Sequence, residues 1–119
     1  MDRRSPAAPQ DTYRLRVVVF YGRRHWVAQA LEHDLAAQAA SIEELPSAFA
    51  QALSGELEMA SRLGREPLHS LPPAPDRYFA MWDGSRPVRD RRPWLDLPAS
   101  IRQMIAALSL DTRATPVSV

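Results

Sequence analysis

The sequence predicts an α+β fold: a three-stranded antiparallel meander with one long packed helix (β-β-β-α), followed by a Pro-rich connector and short C-terminal helices. Three observations lead there. Residues Tyr13–Tyr21 alternate in the manner of a strand. Two short polar turns follow, Gly22-Arg23-Arg24 and Glu32-His33-Asp34. An apolar stripe of helical period then begins behind Ser41. The expected organisation is a flexible arm over 1–12, a β-β-β-α domain over 13–64, and a C-terminal extension over 65–119. That extension is expected to pack on the domain or to mediate oligomerisation.

Residues 1–12, MDRRSPAAPQDT, hold two prolines and no hydrophobic period, which reads as an arm. In the first strand Tyr13, Leu15, Val17, Val19 and Tyr21 share one face, and Arg14, Arg16, Val18 and Phe20 the other. A strand cannot satisfy its own backbone, and the cheapest partner is the next segment. Gly22-Arg23-Arg24 is therefore expected to turn the chain, with Gly22 supplying a positive φ where one is required.

The following text, WVAQALEHDLAAQAASIEEL, has the composition of a helix. The unpaired first strand argues otherwise. It favours a strand over His25–Leu31, a polar turn at Glu32-His33-Asp34, and a third strand over Leu35–Ala40. Ser41 and Glu44 have the spacing of a capping box. Pro46 lacks a donor that a fifth helical position would need, so a loose turn is expected before the helix settles at Pro46. Leu45, Phe49, Leu53, Leu57 and Ala60, with Ala52 and Leu63, form the stripe that should cover Val17 and Val19. Gly64 and Pro67 stop the helix.

Beyond that point Leu71-Pro72-Pro73-Ala74-Pro75 reads as an extended connector. Asp76 is expected to cap a short helix over Arg77–Trp82, ended by Gly84. Its cluster Tyr78, Phe79, Met81 and Trp82 should cover the second sheet face at Val18, Phe20 and Val27. Ser85–Pro93 reads as a charged loop, Pro98–Leu108 as an amphipathic helix, and 111–119 as a fraying tail.

Composition narrows the function. With no cysteine among 119 residues, disulfide and thiolate chemistry are excluded. The first residues lack an apolar segment of the secretory kind, and no run is long enough for a bilayer, so a cytoplasmic protein away from membranes is expected. All 15 basic residues are Arg, which points to a GC-rich coding bias. Residues 1–24 carry net +4, residues 25–64 net −5 and residues 65–119 net +2. The near-neutral whole disfavours non-specific nucleic-acid binding, while the acidic middle suits a basic partner.

Candidate sites follow from these charges. Glu32-His33-Asp34 offers oxygen and nitrogen donors, but a metal site or a nuclease needs further convergent carboxylates, and the first strand has none. No Gly-rich phosphate cradle exists, and Ser41 is better read as a cap than as a nucleophile. No enzyme activity, metal or cofactor is expected. The acids Glu32, Asp34, Glu43, Glu44, Glu56 and Glu58 are the candidate partner-binding residues. Reversing Glu32 and Asp34 is expected to weaken capture of a basic partner with the fold intact. The alternative is a dimeric nucleic-acid-binding regulator using Arg86, Arg89, Arg91, Arg92 and Trp94, the last as a stacking aromatic. A homo-oligomer of unattached role is the third option.

Trp26-Val27-Ala28, the acidic turn Glu32-His33-Asp34, Gln38 ahead of the Ser41 cap, and the long helix Glu43–Leu63 together resemble the HicB-like antitoxin family. The resemblance spans roughly residues 13–64. It implies a bacterial, reduced ribonuclease-H-like module without catalytic carboxylates, which binds a small basic RNA-cleaving toxin as half of a toxin–antitoxin pair. A homodimer or higher assembly is expected with it. The chain departs from the family where Ala40 replaces the usual Gly, and where Leu31-Glu32-His33-Asp34 replaces a Pro-Asp-x-x-Gly-Cys turn. Trp94-Leu95-Asp96-Leu97-Pro98 and the helix behind it look like the strand and first helix of a ribbon-helix-helix unit. No room remains for a second helix, which weakens transcriptional autorepression.

Overall fold

A strand has two edges, and the first strand finds a neighbour for each. In the structure, a computed structural model that describes residues 12–105 and 107–116, β1 (Thr12–Gly22) is the centre of a five-stranded sheet. One edge pairs antiparallel with β2 (His25–Ala30), which pairs antiparallel with β3 (Ala36–Ala39). The other edge pairs in parallel with β5 (Ala107–Ala114), and the two-residue β4 (Arg86–Pro87) closes that side. The order across the sheet is β3-β2-β1-β5-β4.

The expected three-stranded sheet is thus corrected to five strands. The expected helix over Pro98–Leu108 is shorter, α4 (Ala99–Met104), and Ile105 already has extended backbone. Residues 111–114 belong to β5 rather than to a fraying tail, and 117–119 lie outside the described residues. The physical reason is the free edge of β1. Its even-numbered residues bond to β2, so the odd-numbered ones need β5. The arm expected over 1–12 falls outside the described residues as far as residue 11, and Thr12 opens β1.

The hairpin between β1 and β2 is two residues long. Gly22 stays within β1, paired with His25, and the positive φ falls on Arg23 (53°) and Arg24 (71°). Two left-handed residues suit the twist of a hairpin, but Asn-Gly would adopt them with less strain.

Helix α1 (Leu45–Arg62) starts after a turn at Ile42–Glu44 and carries Pro46 in its first turn. The Ser41 hydroxyl accepts the Glu44 N–H at 3.3 Å, one half of the expected capping box. At the other end Gly64 has φ 67°. Arg65 N–H bonds to Ala60 O and Gly64 N–H to Ser61 O, the paired bonds of a Schellman stop. The buried stripe is Leu45, Phe49, Leu53, Leu57 and Ala60, while Leu63 is left exposed. All of it but Ala60 joins Leu15, Val17, Val19, Ala28 and Ala30 in one core, together with Trp94, Ile101, Leu108 and Leu110.

The opposite sheet face is covered by α2 (Asp76–Asp83), which has no fully buried residue. Asp76 is its first residue rather than its cap; Pro75 holds the cap position. Tyr78 stacks on Phe20 at 5.8 Å. The Arg16 guanidinium carbon lies 5.4 Å from the Phe79 ring centre and 5.7 Å from that of Trp82. Arg113 approaches the Trp82 ring at 5.2 Å. Helix α3 (Arg92–Leu95) takes the place of the strand expected at Trp94–Pro98, because its turn drops Trp94 onto Phe49.

Candidate partner-binding surface

The turn Glu32-His33-Asp34 is committed within the fold. Leu31 N–H still bonds to Arg16 O, but Leu31 O turns away to accept Ala74 N–H from the connector. Arg16 N–H would lose its partner there, and the Glu32 carboxylate replaces it. One Glu32 oxygen accepts Arg16 N–H at 2.8 Å and the other accepts its Nε–H at 2.6 Å. A carboxylate so bound completes the β1 ladder and fixes the guanidinium under Phe79 and Trp82. His33 Nδ1 lies 3.2 Å from Leu71 O, and Asp34 N–H donates to Pro72 O at 2.6 Å. The turn is the seat of the Pro-rich connector. Reversing Glu32 would therefore disturb the fold, contrary to the sequence-based expectation.

Asp34 differs from Glu32, because its side chain is exposed at the rim. The Gln29 amide, buried beneath it, donates to Asp34 Oδ1 at 2.8 Å and to Ala30 O at 3.0 Å. That bond holds the carboxylate in one orientation.

The helix acids separate into two groups. Glu43 and Glu44 are exposed in the turn between β3 and α1. Glu56 and Glu58 lie some 18 Å further along the helix, at 1.5 Å per residue. They flank buried Leu57 and so project to opposite sides of it. Among the described residues none of the four has an ion-pair partner, whereas Glu32, Asp90 and Asp111 are each matched, to Arg16, Arg92 and Arg14. The structure does not gather the six candidate acids into one patch. It leaves Asp34 before β3, and Glu43 and Glu44 after it.

The basic candidates are also divided. Trp94 is only 5% exposed and packs at 6.1 Å from Phe49, so it has no free face for a base. Arg92 is held by Asp90 through two side-chain bonds, of 3.1 and 3.4 Å, and its N–H donates to the same carboxylate at 3.2 Å; these bonds, the side-chain ones foremost, draw the Asp90 carboxyl below its usual value. Arg86, Arg89 and Arg91 remain exposed. A cleft of about 510 Å³ opens between the start of α1 and this segment, lined by Val19, Ile42, Pro46, Val88 and Trp94 with Glu43 and Arg89 at its rim.

Sequence reasoning missed two features. Arg16 was legible only as an outward strand position and Arg113 fell in the expected tail, yet both lie against the Trp82 ring. The outer edge of β3 carries no side-chain chemistry to read. Among the described residues no group of three or more His, Cys, Asp or Glu side chains has the arrangement of a metal site. No helix there is long and apolar enough to cross a membrane. Compared with protein-family models, with curated proteins and with solved structures, the chain has no match in any of the three.

Proposed function

We propose that this chain is a non-catalytic, HicB-like protein-binding module whose partner is a small basic protein, of the RNA-cleaving toxin kind if the chain acts as an antitoxin. The carrying observation is the exposed pair Glu43 and Glu44 beside the cleft, neither of which has an ion-pair partner among the described residues. Unmatched charge at the rim of an interface steers encounter and selects partners by sign. The cleft beside Glu43 adds an apolar recess for an anchoring side chain of the partner. Three antiparallel strands followed by a helix on one face are the order that the family resemblance implies. The same reading carries a homodimer, for which exposed Met59, in the last turn of α1, and Leu63, just past its end, offer apolar surface. It places the protein in the cytoplasm of a bacterium.

Nucleic-acid binding is the weaker reading, since the aromatic it relied on is buried. The test is co-expression with a small basic protein encoded beside this chain. A complex that survives size exclusion, with suppressed RNA cleavage by the partner, is the expected outcome. Co-purification of nucleic acid in place of protein, lost in an Arg86→Ala/Arg89→Ala/Arg91→Ala variant, would reverse the choice.

A further inference from the structure

The sheet ends in two edges that are finished differently. On one side β4 is two residues long and contains Pro87, which has no N–H to offer, beside the charged Arg86. Those are the devices that stop a sheet from growing. On the other side β3 reads Ala36-Ala37-Gln38-Ala39, without charge or proline.

The register fixes which backbone groups of β3 are free. Ala30 N–H bonds to Leu35 O, and pairing alternates from there, so Ala37 and Ala39 face β2. Ala36, Gln38 and Ala40 direct their N–H and C=O groups outward. All three are exposed, and among the described residues no backbone bond engages these groups. The side chains of the two alanines are too small to keep a neighbouring strand away.

We infer that this edge takes an extended strand of a protein partner, flanked at both ends by arginine or lysine, as a sixth strand of the sheet. The inference rests on the reading of the chain as a binder of basic proteins, and supplies its mode of attachment. Main-chain bonds to Ala36, Gln38 and Ala40 would give the affinity. The charges bracketing the edge give the sign. Asp34, oriented by the Gln29 amide, stands before β3, and Glu43 and Glu44 stand exposed after it. A second copy of this chain is the poorer occupant. An antiparallel copy centred on Gln38 sets Asp34 opposite position 42, one residue from Glu43, so acid meets acid at both ends.

The experiment uses the full chain and two synthetic peptides of alternating threonine and valine, one flanked by paired arginines and the other by paired glutamates. The arginine-flanked peptide should bind, weaken as salt is raised, and slow amide exchange at Ala36, Gln38 and Ala40. Gln38→Pro removes an outward N–H but no bond within the sheet, and should weaken binding about tenfold or more. Should that variant misfold, Ala36→Lys/Gln38→Lys sets like charge against the peptide and should give the same loss. Glu43→Gln/Glu44→Gln should reduce affinity several-fold and flatten the salt dependence. Equal binding of both peptides, or binding without protection of those three amides, would overturn the proposal. So would a dimer of the free chain that Gln38→Pro dissolves. Capture of a basic protein that Gln38→Pro leaves untouched would overturn the edge alone; no capture of any basic protein would overturn the functional reading beneath it.

Discussion

Under α1 the sheet presents Leu15, Val17, Val19, Ala28 and Ala30, all essentially closed to water, whereas under α2 it presents Arg16, Val18, Phe20 and Arg113. The first face meets a stripe of leucines and Phe49, and the second meets rings that stack on guanidinium groups. Apolar burial scales with the area removed from water. Cation–aromatic contacts at a half-exposed layer contribute far less, about 0.5–1 kcal/mol each. The first face therefore holds the molecule together, and the second holds one small helix in place. Helix α2 covers its face without any residue of its own being fully buried, which makes it the first element expected to open.

The widest gap between the faces is expected for Phe49→Ala, which should cost about 3–5 kcal/mol in chemical denaturation. A loss below roughly 1 kcal/mol would erase the ranking of the two faces. Next comes Glu32→Ala, which strips Arg16 of an acceptor for its N–H and for its guanidinium. About 1–3 kcal/mol is expected, towards the lower end because both side chains remain about a third exposed (37% and 32%). The Arg16 amide should then exchange faster, and Glu32→Gln, keeping one acceptor, should lose less. Trp82→Ala should cost about 1–2 kcal/mol locally, raising exchange across 76–83 while the global midpoint moves little. If the midpoint drops as far as for Phe49→Ala, the two faces are equivalent. Arg23→Asn/Arg24→Gly, away from both faces, should stabilise by about 1 kcal/mol by relieving two left-handed arginines.

What the sequence disclosed about each region follows the same division. The α1 face was legible because leucine and Phe49 at helical spacing, and Leu15, Val17 and Val19 at strand spacing, encode burial directly. The covering of Phe20 by Tyr78 was legible from a dense aromatic cluster with nowhere else to go. Strand β5 was hidden by Ile101, Met104, Ile105 and Leu108, whose spacing fits a helix. Its own alternation, with Leu108, Leu110 and Thr112 inward and Ser109, Asp111 and Arg113 outward, is as regular as that of β1. The missing consideration was backbone demand on the second edge of β1. At the site, charge identified acids but not their occupation. Glu32 and Asp34 stand two residues apart, yet only the diverted Leu31 carbonyl makes the first of them a ladder partner. Nothing short of the three-dimensional register separates the two.

That separation supplies the most direct test of the functional account, which assigns partner steering to Glu43 and Glu44 and internal structure to Glu32. The measurement is the association rate of a small basic protein encoded beside this chain, at low and at moderate salt. Wild type is to be compared with Glu43→Arg/Glu44→Arg, after circular dichroism has established that the variant is folded. The account predicts a fall of about tenfold or more at low salt, shrinking as salt is raised. An association rate unchanged by the reversal at both salt concentrations would contradict it.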